Sequence, residues 1–63
     1  MTFGEKVKFV RGELQISQMQ LAKELNVSFA TVNRWETQNI EPSFLTKTKF
    51  EKFCEYNALN LKE

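Results

Sequence analysis

The chain has 63 residues, close to the lower limit for one domain that folds around a single core without disulfides or metals. Its hydrophobic content of 41% and charged content of 27% are those of a globular protein and exclude a disordered chain. The net charge is +1. The single cysteine excludes an internal disulfide, and the absence of His and Asp argues against a metal site or a catalytic site.

The first predicted helix extends from Phe3 to Leu14. At 100° per residue its apolar side chains form one stripe, which consists of Phe3, Val7, Val10 and Leu14. Thr2 and Glu5 have the spacing of a capping box at its N-terminus. Phe9 lies on the far side of the stripe, where it is either a scattered surface aromatic or a contact with a partner subunit.

Two short predicted helices follow, over about residues 18–25 and 29–38, joined by a tight turn. Ser17 and Gln20 form a second capping box, and Ser28 caps the third helix. Asn26, at the turn, tolerates a left-handed backbone. The apolar scaffold of the unit is Leu21, Ala22, Leu25, Val27, Val32 and Trp35. This pattern is a helix-turn-helix, the unit by which small proteins place one helix in the DNA major groove.

Residues 39–42 form a linker, because a residue that precedes proline avoids the helical region. A fourth predicted helix begins after a Ser43 cap and reaches about Asn57. Its predicted apolar arc is Leu45, Phe50, Phe53, Cys54 and Tyr56. Cys54 is interpreted as a buried small hydrophobe rather than a reactive thiol, because the chain has no His to activate it. The sequence therefore predicts a compact four-helix, all-α fold, with a domain over residues 1–57 and a short tail over residues 58–63.

The third helix divides into two arcs when its residues are placed at 100° intervals. The arc with the large apolar residues faces the protein; it holds Thr31, Val32, Trp35 and Glu36. The expected core combines Leu21, Ala22, Leu25, Val32, Trp35, Phe50 and Phe53. The opposite arc must then face outward, which in a helix-turn-helix means toward the groove.

The predicted base contacts are the outer residues Phe29, Ala30, Asn33 and Arg34. Arg34 can donate two hydrogen bonds to guanine, and Asn33 can pair with adenine or hold a phosphate. Phe29 and Ala30 can touch thymine methyl groups. Two alternatives stay open: a solvated helix face for Asn33 and Arg34, and a core position for Phe29, which borders the inner arc.

The segment from Ile16 to Glu36 resembles the Cro and phage-repressor type of helix-turn-helix, also called the xenobiotic-response-element family. The matching residues are Ser17, Gln18, Leu21, Ala22, Leu25, Val27, Ser28, Val32, Trp35 and Glu36, with Arg11 and Pro42 outside the segment. The resemblance covers roughly residues 3–55 and implies base contacts at the outer positions of the third helix. It also implies a structural ion pair between Arg11 and Glu36. The chain departs from the family at Gln15 and Gln38, where family members usually have glycine.

Gln18 resembles the family's glutamine that contacts a backbone phosphate and braces the recognition helix. The free N–H groups at the start of the second helix favour a phosphate as well. The other predicted phosphate contacts are Ser28, Thr31, Thr37 and Asn39. Ser43 is a further candidate near the linker, and Lys47 and Lys49 either extend the backbone footprint or form a solvated face.

The sequence therefore predicts a sequence-specific DNA-binding domain of a prokaryotic or phage transcriptional regulator. Its partner is double-stranded DNA, with no enzymatic activity, no cofactor and no metal. Two alternatives are a protein-interaction module, antitoxin-like or accessory, and the targeting domain of a larger DNA-modifying enzyme. Without a signal peptide or a membrane-length apolar segment, a cytoplasmic protein with no membrane partner is expected. It is expected to be a monomer or weak homodimer that pairs on DNA, with Leu59, Leu61 and Phe9 as contact candidates.

Overall fold

The computed structural model describes residues 1–57, which form four α-helices. They are α1 (Phe3–Leu14), α2 (Gln18–Leu25), α3 (Phe29–Gln38) and α4 (Phe44–Tyr56). No strand occurs between residues 1 and 57, so the predicted all-α class and its helices are confirmed. The predicted tail, residues 58–63, lies outside the described residues.

Each helix begins where its N-cap side chain accepts a hydrogen bond from the N–H three residues later. The caps are the predicted ones: Thr2, Ser17, Ser28 and Ser43. In α1 and α2 the cap is reciprocal, since the Glu5 and Gln20 side chains accept bonds of 2.8 and 2.7 Å from the cap N–H groups. These local bonds satisfy donors that no preceding helical turn can reach.

Three helices end at a residue with a left-handed backbone, and none of the three residues is glycine. Gln15, Asn26 and Asn39 have φ angles of 54°, 57° and 52°. Asn26 confirms the predicted turn. At the end of α3 the left-handed residue is Asn39 and not Gln38, which stays helical. Asparagine tolerates this conformation better than most residues, so α3 can end there without a glycine.

The core lies where α3 packs on α1 and α2 and where α4 packs on α2. Its fully or nearly buried apolar residues are Phe3, Val7, Val10, Leu21, Ala22, Leu25, Val32, Trp35, Phe50 and Cys54. Phe3 joins three helices, since its ring centroid lies 5.1 Å from that of Trp35 and 5.1 Å from that of Phe50. The predicted core is therefore confirmed except at Phe53, which is half-buried at its edge.

The apolar arc predicted for α4 is wider than the side of α4 that packs against the rest of the domain. Phe50 and Cys54 are buried, whereas Leu45 is 67% exposed and Tyr56 is 89% exposed. At 100° per residue these two residues point more than 100° away from Phe50, and α4 packs on α2 along a narrow stripe. Leu45 and Tyr56 are thus surface residues, and their inclusion in the apolar arc was wrong.

Cys54 lies in the core with 2% exposure and forms no disulfide. Burial, together with the charges of Glu51 and Glu55, raises the pKa of its thiol to about 11. The thiol is therefore neutral near pH 7, as expected for a small buried hydrophobe.

Gly4 marks a close approach of α1 and α3 that the sequence analysis missed. A Cβ atom at this position would lie 2.0 Å from the Trp35 carbonyl oxygen, far inside van der Waals contact. Any larger residue at position 4 would push α1 away from α3. The signal in the sequence was a glycine inside a capped amphipathic helix, one residue from a buried Phe3.

Candidate nucleic-acid interface

The turn between α2 and α3 is held by backbone hydrogen bonds. The Asn26 N–H donates to the Lys23 carbonyl over 3.2 Å, and the Val27 N–H donates to the Ala22 carbonyl over 2.9 Å. Ala22 is 3% exposed in the same core as Val32. A small residue on α2 and a left-handed Asn26 thus set the direction in which α3 leaves the turn.

The two sides of α3 differ sharply in exposure. On the inner side Val32, Trp35 and Glu36 are buried at 0%, 2% and 9% exposure. The predicted base-contact residues lie on the other side: Phe29, Ala30 and Arg34 are exposed, and Asn33 is half-buried. Phe29 is 49% exposed and outside the core, so its alternative interpretation as a core residue is wrong.

Glu36 connects three elements through its carboxylate. It accepts hydrogen bonds from Arg11 Nε on α1 at 2.6 Å and from Arg11 Nη2 at 2.8 Å. Gln18 Nε2, at the start of α2, donates to the same carboxylate over 3.1 Å. Arg11 Nη1 also donates to the Ile16 carbonyl over 3.2 Å, which ties the α1–α2 loop to the pair. Helix α3 is therefore locked to both helices that precede it.

The charges of this network are stabilised by mutual contact. Burial alone would raise the pKa of Glu36, but the hydrogen bonds from Arg11 and Gln18 and the charges of Arg11 and Lys8 outweigh it and lower that pKa. The pKa of Arg11 is raised, chiefly by its hydrogen bond to Glu36. Both groups are therefore ionised over the neutral range. Within residues 1–57, every buried side-chain nitrogen or oxygen has a hydrogen-bond partner.

Apart from Gln18 at the start of α2, the predicted phosphate contacts form two groups, at the two ends of α3. Ser28 and Thr31 share a hydrogen bond of 2.8 Å between their hydroxyls at its N-terminus. Thr37 and Asn39 lie at its C-terminus, where the Thr37 hydroxyl donates to the Asn33 carbonyl over 2.8 Å. A hydroxyl has one proton, so Thr37 must release this bond before it can donate to a phosphate. Asn39 is exposed at the left-handed end of the helix.

Comparison with known proteins agrees with this geometry. A family model described as helix-turn-helix matches residues 7–58. The chain belongs to the Cro/C1-type helix-turn-helix family. The resemblance predicted from the sequence is thereby confirmed.

One curated relative of this helix-turn-helix chain is the HTH-type transcriptional regulator DicA of Escherichia coli strain K12. The two are 37% identical over 43 residues, which cover 68% of this chain and 32% of the relative. The chain thus spans about a third of the length of the relative it matches. No solved structure gives a significant match.

The linker of the helix-turn-helix domain carries an ion pair that the sequence analysis missed. The carboxylate of Glu41 pairs with Lys47 Nζ, and both side chains are substantially exposed. The hydrogen bond from Lys47, its charge and the charge of Lys6 lower the pKa of Glu41. The two paired residues are six apart across the start of α4, a spacing that no helical rule connects.

Other features of the described chain are separate from the outer face of α3. A groove of about 510 Å³ is lined by residues of α1, α2, α4 and their flanks, among them Leu14, Lys23 and Phe53, and by none of α3.

Among residues 1–57 no three His, Cys, Asp or Glu side chains cluster as metal ligands would. None of the described helices is long and apolar enough to cross a membrane.

Proposed function

We propose that this domain binds double-stranded DNA sequence-specifically, with α3 in the major groove, as the DNA-binding part of a transcriptional regulator. The observation that carries the proposal is the two-sided character of α3. Val32, Trp35 and Glu36 hold one side in the protein, and the other side presents Arg34 and Asn33 to solvent. Family membership and the printed name of the relative, an HTH-type transcriptional regulator, support the same function.

The size of α3 supports this placement. A helix is about 10–12 Å in diameter with its side chains, and the major groove of B-DNA is about 12 Å wide. The outer side chains then face base edges. The Arg34 guanidinium has the fork geometry that matches guanine O6 and N7, and the Asn33 amide matches adenine N6 and N7. Phe29 and Ala30 supply apolar contacts for thymine methyl groups.

Phosphate contacts would fix the register of α3 without reading the sequence. Gln18 is well placed for this role, because its amide has a second N–H beyond the one given to Glu36. Ser28 and Thr31 at one end of α3, and Thr37 and Asn39 at the other, would contact the strands that border the groove. The Arg11–Glu36 pair would keep α3 at a constant angle to α2, so that base and phosphate contacts form together.

The homodimer stays a proposal. Leu59 and Leu61, two of its three contact candidates, lie outside the described residues, and Phe9 on α1 is 46% exposed. We propose a monomer or weak dimer in solution that pairs on DNA. Sedimentation at micromolar concentration tests this, because a tight dimer without DNA would contradict it, and a palindromic selected sequence would support pairing on DNA.

The function is tested by selecting binders from a pool of random duplexes at low salt. We expect one short sequence to be enriched. Arg34→Ala should leave the thermal melt unchanged, cost about 1–3 kcal/mol on that sequence and relax the preference at one base pair. Lys52→Ala, which removes an exposed charge from α4, is the matched control and should keep the preference.

Three outcomes separate the candidate roles. A uniform loss of affinity in Arg34→Ala, with a salt slope lower by about one unit, would assign Arg34 to a phosphate. Enrichment of no sequence, with salt-dependent binding to all, would reduce the function to non-specific DNA binding. Absence of DNA binding altogether would favour the interaction module.

A further inference from the structure

The linker after α3 places a carboxylate beside the proposed DNA face. Glu41 follows the left-handed Asn39 that ends α3, and it precedes Pro42. Proline restricts the residue before it to extended backbone, so the chain holds Glu41 in a limited range of directions. Its side chain is 63% exposed, and its partner Lys47, in the first turns of α4, is 40% exposed.

The C-terminal end of α3 lies near a phosphate strand if α3 occupies the major groove. The helix has ten residues and is therefore about 15 Å long. The groove is about 12 Å wide, so a helix of this length that lies in it at an angle brings its ends toward the bordering strands. The linker and the first turns of α4 then lie beside one of these strands.

The segment that contains α3 and the linker has few basic residues that could contact a phosphate. From Ser28 to Phe44 the sequence has one basic residue, Arg34, and two acidic ones, Glu36 and Glu41. Glu36 is already bound by Arg11, so its charge is matched inside the domain. Lys47 is a nearby cation that a phosphate could use, and in the free protein it is bound by Glu41.

We propose that Glu41 lowers the affinity for DNA of any sequence by competing with DNA phosphate for the ammonium group of Lys47. The inference rests on the proposed DNA-binding function. Because exposed ion pairs contribute little to stability, the Glu41–Lys47 pair is expendable for folding. Its effect is on binding: it removes one cation from sequence-independent contact with phosphate. Non-specific binding depends almost wholly on such contacts, so Glu41 keeps it low.

The test compares E41Q with E55Q, measured on the selected sequence and on a scrambled duplex over a range of salt concentrations. Both substitutions raise the net charge by one unit. Glu55 is exposed on α4, eight residues beyond Lys47, and so about 12 Å away along the helix. That exceeds the Debye length of about 10 Å at 0.1 M salt.

We expect E41Q to bind both duplexes about fivefold more tightly at 0.1 M salt, the gain from one additional close charge pair in water. The slope of log affinity against log salt should steepen by about 0.9. E55Q should change neither quantity by a comparable amount. K47Q placed in the E41Q background should cancel the gain, because the released cation is then absent.

The inference is overturned if E41Q binds no more tightly than E55Q, if it binds more weakly than the unmodified protein, or if K47Q leaves its gain intact. Failure of the proposed function looks different, because neither the unmodified protein nor E41Q would then bind any duplex. Unchanged circular dichroism melts verify that E41Q, E55Q and K47Q are folded.

Discussion

The Arg11–Glu36 pair and the Lys47–Glu41 pair join the same kinds of charged group in opposite environments. Glu36 has 2% of its side chain exposed and accepts two hydrogen bonds from Arg11 and one from Gln18. Glu41 is 63% exposed and is bound by Lys47. A charge that has lost its water depends on its partner, whereas a charge still in water can exchange one partner for another. The first pair therefore serves the fold, and the second is available to a ligand.

The largest expected effect comes from breaking the buried pair. Arg11→Met or Glu36→Leu leaves the other charge without its partner, and each should lower the free energy of unfolding by up to roughly 3–5 kcal/mol. Replacing both, as Arg11→Met with Glu36→Leu, should cost less than either single change. Urea unfolding of the four proteins measures this. Simple additivity would mean that the two side chains do not interact.

The close contact between α1 and α3 at Gly4 can be broken by adding a side chain at that position. Gly4→Ala places a methyl group 2.0 Å from the Trp35 carbonyl oxygen and should destabilise the domain by about 1–3 kcal/mol. Gly12→Ala is the matched control on the same helix, since no atom beyond its chain neighbours and its own helical backbone lies within 4 Å of its Cβ position. It should stabilise by about 0.5–1 kcal/mol, because alanine favours a helix. Equal effects of the two changes in thermal melts would contradict the close approach.

The pH dependence of stability should reveal the ionisation of Glu36 in the buried Arg11–Glu36 pair. The pKa of Glu36 is lowered in the folded protein relative to its ordinary value of 4.5. Its contribution is thus fully present above pH 4.5 and is lost as pH falls through the lower, folded value. We expect the difference in unfolding free energy between the unmodified protein and Glu36→Gln to shrink as pH falls below 4.5. A constant difference down to pH 2 would show that Glu36 ionisation does not stabilise the fold.

The smallest expected effect on stability is at the exposed pair. Glu41→Gln, Lys47→Gln and the double variant should melt within experimental error of the unmodified protein, because both partners remain hydrated. Measurable coupling in this double-mutant cycle would make the linker pair a structural element like Arg11–Glu36. The contrast between the two pairs would then disappear.

Local sequence information predicted the helices well because their ends depend on nearby residues. The caps at Ser17 and Ser28 and the turn at Asn26 need partners only a few positions away. The inward side of α3 followed from helical periodicity, since Val32 and Trp35 recur on one side. The proposed base-contact residues were reached by the same periodicity, as the residues left outside.

Other features could not be predicted, because they depend on how elements approach one another. Leu45 and Tyr56 are apolar, but α4 packs on α2 along a stripe too narrow to cover them. The helix α3 ends at Gln38 as predicted, but the left-handed residue is Asn39, one position after the family's usual glycine. Glu41 meets Lys47 across a proline-containing linker, so neither helical nor strand spacing relates them.

The amino-acid sequence by itself determined four capped helices, an apolar side for each of the first three, and a polar outer side on α3, because these properties come from neighbouring residues and a fixed helical period. Only the tertiary structure decided that α1 passes against the Trp35 carbonyl at Gly4, how little water Glu36 keeps, and that the exposed Glu41 pairs with Lys47. Contact between distant helices determines how much water a side chain keeps. The carboxylates of Glu36 and Glu41 are chemically identical, and they differ in role because they differ in hydration.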